Sequence, residues 1–306
     1  MKPKELLFAL LLACASIASA QHQVLPDFQA DPSARVFHGH LYVYPSHDLT
    51  GSKDWDMVDW HVFSTDDMVH WKDHDVIFGL KDLTWASKHA WAPDCIERNG
   101  KYYFYFPADN QIEVAVSDTP TGHFKDALGK PLIGRDEVPG VSVFDPNIFI
   151  DDDGQAYLYF GNSHDKLGVV KLKKDMITRD GPIQILDVKN YHEGIWVHKR
   201  KGLYYFSYPS YRGDKIANLM EYSISKSPLG PFEYKGVIAD NHSRNIHGSI
   251  VEFKGKWWLF YHVEGPSAYE RRVCVARLRY ASDDSILPIK MTDPTGLATP
   301  VVSSSR

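Results

Sequence analysis

Asp94-Cys-Ile-Glu-Arg-Asn-Gly-Lys-Tyr-Tyr-Phe-Tyr-Phe106 reads as a β-hairpin. A short apolar strand runs into Asn99-Gly100, and a second, aromatic-rich strand leaves it. Asn-Gly between such runs is a strong local hairpin signal, because tight hairpin turns need positive φ and glycine adopts it without a steric penalty. The same pattern recurs at Ala34-Arg-Val-Phe-His-Gly-His-Leu-Tyr-Val-Tyr44 and Pro146-Asn-Ile-Phe-Ile-Asp-Asp-Asp-Gly-Gln-Ala-Tyr-Leu-Tyr-Phe160. It recurs again at Gly194-Ile-Trp-Val-His-Lys-Arg-Lys-Gly-Leu-Tyr-Tyr-Phe206 and Gly248-Ser-Ile-Val-Glu-Phe-Lys-Gly-Lys-Trp-Trp-Leu-Phe-Tyr261. The turn glycines (39, 100, 154, 202 and 255) are spaced by 61, 54, 48 and 53 residues.

A second marker keeps the same period. Ser64-Thr-Asp-Asp-Met-Val-His-Trp71, Ser117-Asp-Thr-Pro-Thr-Gly-His-Phe124 and Ser225-Lys-Ser-Pro-Leu-Gly-Pro-Phe232 begin 53 and then 108 residues apart, one period and two. Further alternating runs, such as Ile112–Val116 and Leu219–Ile224, lie between hairpin and marker. Each unit therefore holds about four strands, and four-stranded units at a period near fifty residues define a β-propeller. Five units predict an all-β, five-bladed β-propeller over residues 21–306. A β-sandwich of regular turns gives no reason for two markers to share one period.

The chain begins with Met1, Lys2 and Lys4, an apolar run from Leu6 to Ala18, and Ala18-Ser19-Ala20. A charged start, a short apolar core and a small-residue site describe a secretory signal peptide over residues 1–20, and hence a secreted or periplasmic protein. Lipoprotein processing at Cys14 is a weaker rival. No run is long and apolar enough to span a membrane. The net charge of -5 and the absence of a Lys/Arg-rich run speak against a nucleic-acid partner and suit a neutral substrate. Past the leader only Cys95 and Cys274 remain, too few for a disulfide framework. The 15 histidines form no H-E-x-x-H motif, and no G-x-S-x-G elbow is present. Asp151-Asp-Asp-Gly154 lacks the spacing of an EF-hand loop and reads as a hairpin turn.

Eight or nine residues before each turn glycine stand Asp31, Trp91, Asp145, Glu193 and His247. In a propeller the first strand of each blade lines the central channel, so equivalent positions converge on one pocket. Three carboxyl groups gathered at low dielectric repel one another, and at least one is expected to have a raised pKa. Each residue alone has an ordinary structural explanation: Asp-Pro starts turns, and Trp or His fills cores. The shared slot points instead to acid–base chemistry.

At these residues the sequence resembles glycoside hydrolase family 43, over nearly all of residues 21–306. The carriers are Ala30-Asp-Pro-Ser33, Trp91-Ala-Pro-Asp94, Val143-Phe-Asp-Pro-Asn-Ile-Phe-Ile-Asp-Asp-Asp-Gly154, His192-Glu-Gly194, Ser225–Phe232 and His247-Gly-Ser-Ile-Val-Glu252. The resemblance implies inverting hydrolysis of pentose-containing plant cell-wall oligo- or polysaccharide. Asp31 would be the general base, Glu193 the general acid, and Asp145 the residue that tunes and orients Glu193. Trp91 would wall the sugar pocket, and Arg271 or Arg272 would bind sugar hydroxyls. The chemistry needs no cofactor. His247 matches a channel histidine that in many members contacts a metal, often calcium, through water. Exo-acting α-L-arabinofuranosidase or β-xylosidase activity is the expectation. An endo-arabinanase of the same fold and a non-catalytic sugar-binding propeller are the alternatives. Loops at 48–59, 162–166 and 208–215 are expected to shape the pocket mouth.

Overall fold

Four of the five repeated turns place two consecutive residues at positive φ: His38-Gly39, Asn99-Gly100, Lys201-Gly202 and Lys254-Gly255. This geometry matches the right-handed twist of the strands it joins. The structure, a computed structural model, describes residues 22–212, 215–291, 295 and 297–304. The leader and Cys14 lie outside the described residues.

Each turn opens one blade. Blade 1 holds β1 (Gln29–Phe37), β2 (His40–His47), β3 (Asp59–Thr65) and β4 (His70–Gly79). Blade 2 holds β5 (Asp94–Arg98), β6 (Lys101–Ala108), β7 (Gln111–Ser117) and β8 (Lys125–Asp126). Blade 3 holds β9 (Asn147–Ile150), β10 (Ala156–Phe160), β11 (Lys166–Leu172) and β12 (Gln184–Asp187). Blade 4 holds β13 (Trp196–Arg200), β14 (Leu203–Arg212), β15 (Lys215–Ser225) and β16 (Glu233–Asp240). Blade 5 holds β17 (Gly248–Phe253), β18 (Lys256–Glu264) and β19 (Arg271–Leu278). Neighbouring strands within every blade are antiparallel. The first strands β1, β5, β9, β13 and β17 touch one another in a closed circle around the channel.

Four strands per blade holds for blades 2, 3 and 4. The other two differ because the ends of the chain tie the ring. The stretch around Gln23 bridges to Cys274 on the open edge of β19, with Val24 N–H donating to Val273 O at 3.0 Å. At the other end β20 (Val301–Ser304) adds to β4 as a parallel fifth strand. Among the described residues no helix is long and apolar enough to cross a membrane.

The aromatic second strand of each hairpin explains the high aromatic content. Successive strand residues point to opposite faces, so each such strand feeds two inter-blade interfaces. Phe104 and Phe106 pack toward Tyr44 and Trp60 of blade 1, while Tyr105 packs toward Ile148 and Leu158 of blade 3. Tyr204 and Phe206 meet Tyr157 and Tyr159 of blade 3, while Tyr205 meets Ile250 and Leu259 of blade 5. Trp258 and Phe260 meet Leu41, Val43 and Phe63 of blade 1. The core is thus five apolar clusters, one per interface. Cys95 and Cys274 are buried in two of them as free thiols. The turn at Asp151–Gly154 is a hairpin turn, closed by Gly154 N–H donating to Asp151 O at 2.8 Å.

Candidate active site

Asp31 lies in a β-bulge. Ala30 pairs with Ser46 and Ser33 with Tyr44, so Asp31 and Pro32 together oppose one residue of β2. A bulge re-aims its side chain, and Asp31 takes φ 48° there. Asp145, two residues before β9, takes φ 51°. Aspartate tolerates this left-handed region better than most residues. Trp91, Glu193 and His247 likewise stand just before the first strands of their blades. All five residues line one cavity of about 450 Å³ at the channel mouth. Trp55, Met57, Phe144, Asn162, His192, Arg244, Asn245 and Arg271 complete its wall.

Around Asp31 the contacts favour the charged carboxylate. Arg271 Nη1 donates to Oδ1 at 2.8 Å, and Ser46 Oγ donates to Oδ2 at 2.7 Å. His247 Nδ1 stands 3.5 Å from Oδ1. The Asp31 backbone N–H donates to His262 Nδ1 at 3.1 Å, and His262 Nε2 lies 3.0 Å from Asn245 Oδ1. Those two contacts fit a neutral His262 protonated on Nε2, and its pKa is lowered, chiefly by burial. Burial alone would push the Asp31 pKa up; the charge of Arg271 and the hydrogen bond with His247 outweigh it and hold the carboxyl well below its usual range.

Asp145 is buried to the same extent but has no cation in hydrogen-bond contact. Its Oδ2 accepts from Gly194 N–H at 3.1 Å and lies 3.9 Å from His247 Nδ1. Burial pushes its pKa up to about 8; His247 opposes the shift, and the neighbouring Glu193 and Asp31 add to it. The expected raised carboxyl is therefore Asp145. Glu193 is fixed by Asn162, whose Nδ2 donates to Oε2 at 2.8 Å, with His192 Nε2 at 3.5 Å. Asp145 thus binds the peptide that follows Glu193. Gly194 has φ 55°, and a Cβ there would stand 2.9 Å from the His247 ring, so the glycine lets that ring close over the chain.

Of the two candidate arginines, Arg271 faces the cavity and Arg272 lies over the Phe28 ring. Arg271 is firmly anchored: Asp48 accepts from its Nε at 2.9 Å, its Nη2 at 2.8 Å and its backbone N–H at 2.9 Å. Trp55 covers its guanidinium at 4.6 Å. Trp91 forms a wall, its ring edge-on to Phe144 and its Nε1 donating to Trp55 O at 2.8 Å. Of the expected mouth loops, 48–59 supplies Trp55 and Met57, and 162–166 supplies Asn162. Of the 208–215 stretch, Tyr208 is fully buried and the Tyr211 ring lies 4.2 Å from that of His192 in the cavity wall.

Sequence reading placed Asp48 and Asn162 only within mouth loops, without a role, and missed Arg244, Asn245 and His262. None of the five occupies the repeated slot. His247 offers one imidazole, and both Asp31 oxygens and Asp145 Oδ2 are already engaged. Calcium takes six to eight oxygens, so this set suits a hydrated ion held through water and not a directly ligated one.

The sequence pattern of the glycosyl hydrolases family 43 matches residues 20–286. A xylosidase/arabinosidase of Bacteroides ovatus is 34% identical, the match covering 87% of this chain and 96% of the relative. An α-L-arabinofuranosidase of Clostridium thermocellum is 40% identical with a TM-score of 0.75, over 85% of this chain and 92% of the other. A β-xylosidase/α-arabinofuranosidase from a compost metagenome, solved with xylotriose in a calcium-free form, is 32% identical with a TM-score of 0.79. That match covers 89% of this chain and 97% of the other.

Proposed function

This chain belongs to the glycosyl hydrolases family 43, and on that premise we propose that it acts from chain ends and branches of hemicellulose, releasing single arabinofuranose or xylose units with inversion. It is a glycosidase, and the xylosidase/arabinosidase class carries over from its relatives. One observation carries the division of labour: three carboxyl groups from three blades share a cavity, and their surroundings drive two of them in opposite directions.

Asp31 is the base. Held ionised by Arg271, it takes a proton from a water as that water attacks the anomeric carbon. Glu193 is the acid. Asn162 anchors one of its oxygens, and it gives its proton to the departing glycosidic oxygen. The bond from water oxygen to anomeric carbon forms as the glycosidic bond breaks, and inversion follows because water enters opposite the leaving group. Asp145 is a positioning residue: it binds the amide of Gly194 and so fixes the peptide that follows Glu193. Trp91 and Trp55 offer the sugar ring apolar faces. Arg271 holds the base: Asp48 and Asp31 accept from three of its five N–H groups, and the other two are left to meet a sugar hydroxyl. These steps need only two carboxyl groups and water.

The leaving group provides the test. Glu193→Ala should lower turnover of arabino- and xylo-oligosaccharides about 10²–10⁴-fold. Nitrophenyl pentosides should lose far less, because nitrophenolate departs without a proton. Asp31→Ala should impair both substrates alike, and the first-formed sugar should carry the opposite anomeric configuration. Equal losses on both substrates for Glu193→Ala would remove it from the acid role. Oligomers instead of monomers from linear arabinan would assign endo action.

A further inference from the structure

β3 carries Asp59 and His61 two residues apart and therefore on one face. His47 ends β2, one step beyond the Ser46–Trp60 pair in the same ladder, which sets it across from Asp59. Phe63, next along that face, lies in the apolar cluster between blades 5 and 1, so the three polar side chains sit above that seam. One ligand atom from each of His47, Asp59 and His61 lies within 4.8 Å of the other two. Among the described residues this is the only such trio of histidine, cysteine or carboxylate groups.

Two further observations single it out. Both nitrogens of His61 are buried and lack a hydrogen-bond partner, and native structures seldom leave buried polar atoms so. The flanking carboxylates also bracket the ring from both sides: Asp59 Oδ1 is 3.9 Å from Nε2 and Asp73 Oδ1 is 3.7 Å from Nδ1. A metal-ligating histidine commonly presents one nitrogen to the ion and the other to a carboxylate that orients the ring.

We propose that His47, Asp59 and His61 form a binding site for a divalent cation of the zinc class, with Asp73 orienting His61 from behind. Two imidazoles and one carboxylate are ligands that zinc takes at about 2.0–2.2 Å, which sets neighbouring ligand atoms about 3.3 Å apart in a tetrahedron. His47 Nδ1 and Asp59 Oδ1 are 2.7 Å apart, and His61 Nε2 and Asp59 Oδ1 are 3.9 Å apart. Adjustments of about half an ångström in opposite senses would bring Asp59 to this spacing from both imidazoles, with water as fourth ligand. His47 and Asp59 are about a quarter exposed, which opens a path for the ion. The nitrogen ligands select against calcium, which takes oxygen, so this site is distinct in chemistry from any hydrated ion in the channel. His47 also stands between Ser46, which donates to Asp31, and Asp48, which holds Arg271. An ion there would brace the strand that supports the base.

The full chain, stripped with chelator, should be titrated with zinc by calorimetry and with cobalt by visible absorption. The wild type should take up a high-affinity equivalent of zinc and show the intense visible bands of tetrahedral cobalt. His61→Asn and His47→Gln should each lose that equivalent while still hydrolysing nitrophenyl pentosides, which shows that they fold. Asp73→Asn should keep the equivalent with affinity reduced about 10–100-fold. Calcium should displace none of it. Unchanged zinc uptake in both histidine variants, or no uptake by the wild type, would overturn the assignment.

Discussion

Asp31 and Asp145 share residue type, a following proline, a left-handed backbone and near-complete burial, yet their neighbours drive their protons apart. The difference is Arg271, which bonds to Asp31, while Asp145 faces Glu193 with only a backbone amide to hold it. Asp145 makes folding depend on pH. With its pKa raised from 3.8 to about 8, the folded chain keeps a proton that the unfolded chain releases. Its contribution to stability is therefore complete at acid pH and is lost as pH climbs from about 4 toward 8. Asp145→Asn cannot ionise and still offers an oxygen to Gly194. Relative to wild type it should gain stability steadily across that window in urea unfolding, while oligosaccharide turnover falls about tenfold or more. A stability difference independent of pH would mean that Asp145 titrates normally.

Each first strand carries a second polar position, two or three residues after the slot, and these positions stitch the blades together. Asp94 accepts from Ser33 Oγ of blade 1 at 2.6 Å, and from Asn147 Nδ2 and Ile148 N–H of blade 3 at 2.9 and 2.8 Å. Arg35 of β1 donates to Asp94 and to Ile148 O, and its guanidinium lies 4.2 Å over Trp196 of blade 4. Val197 N–H donates to Asn147 Oδ1 at 3.0 Å, Trp196 Nε1 to Ile250 O at 2.8 Å, and Ser249 Oγ to Pro32 O at 2.7 Å. The seam thus runs round all five first strands. Asp94→Ala would leave the partly buried Arg35 without its counter-charge and several buried donors unpaired, a change that costs about 3–5 kcal/mol. Urea unfolding should show that loss. A loss under about 1 kcal/mol would place the ring's strength in the aromatic interfaces alone, since exposed pairs are worth no more than that.

At the scale of the molecule, a ring of blades has to be closed, and the two chain ends do this with unequal strength. Val24 and Leu25 are buried beside β19, whereas every residue of β20 is exposed. Burying two such aliphatic side chains contributes about 3–6 kcal/mol, and an uncovered β19 edge invites pairing with other chains. A chain starting at Pro26 should therefore melt about 5–10 °C lower and aggregate sooner. One ending at residue 299 should lose a few degrees at most. Equal effects in thermal melts would contradict this account of closure.

The period of the hairpins, the β-propeller and the convergence of Asp31, Trp91, Asp145, Glu193 and His247 were legible in the sequence. Turn chemistry and strand alternation act over a few residues, and a repeat carries that local information once around the circle. The choice of Arg271 over Arg272, the supports Asp48, Asn162 and His262, the two clasps, and which aspartate keeps its proton came only with the tertiary structure. Arg271 and Asp31 meet across 240 residues of chain. Electrostatics and burial depend on distance in space, which no local pattern encodes.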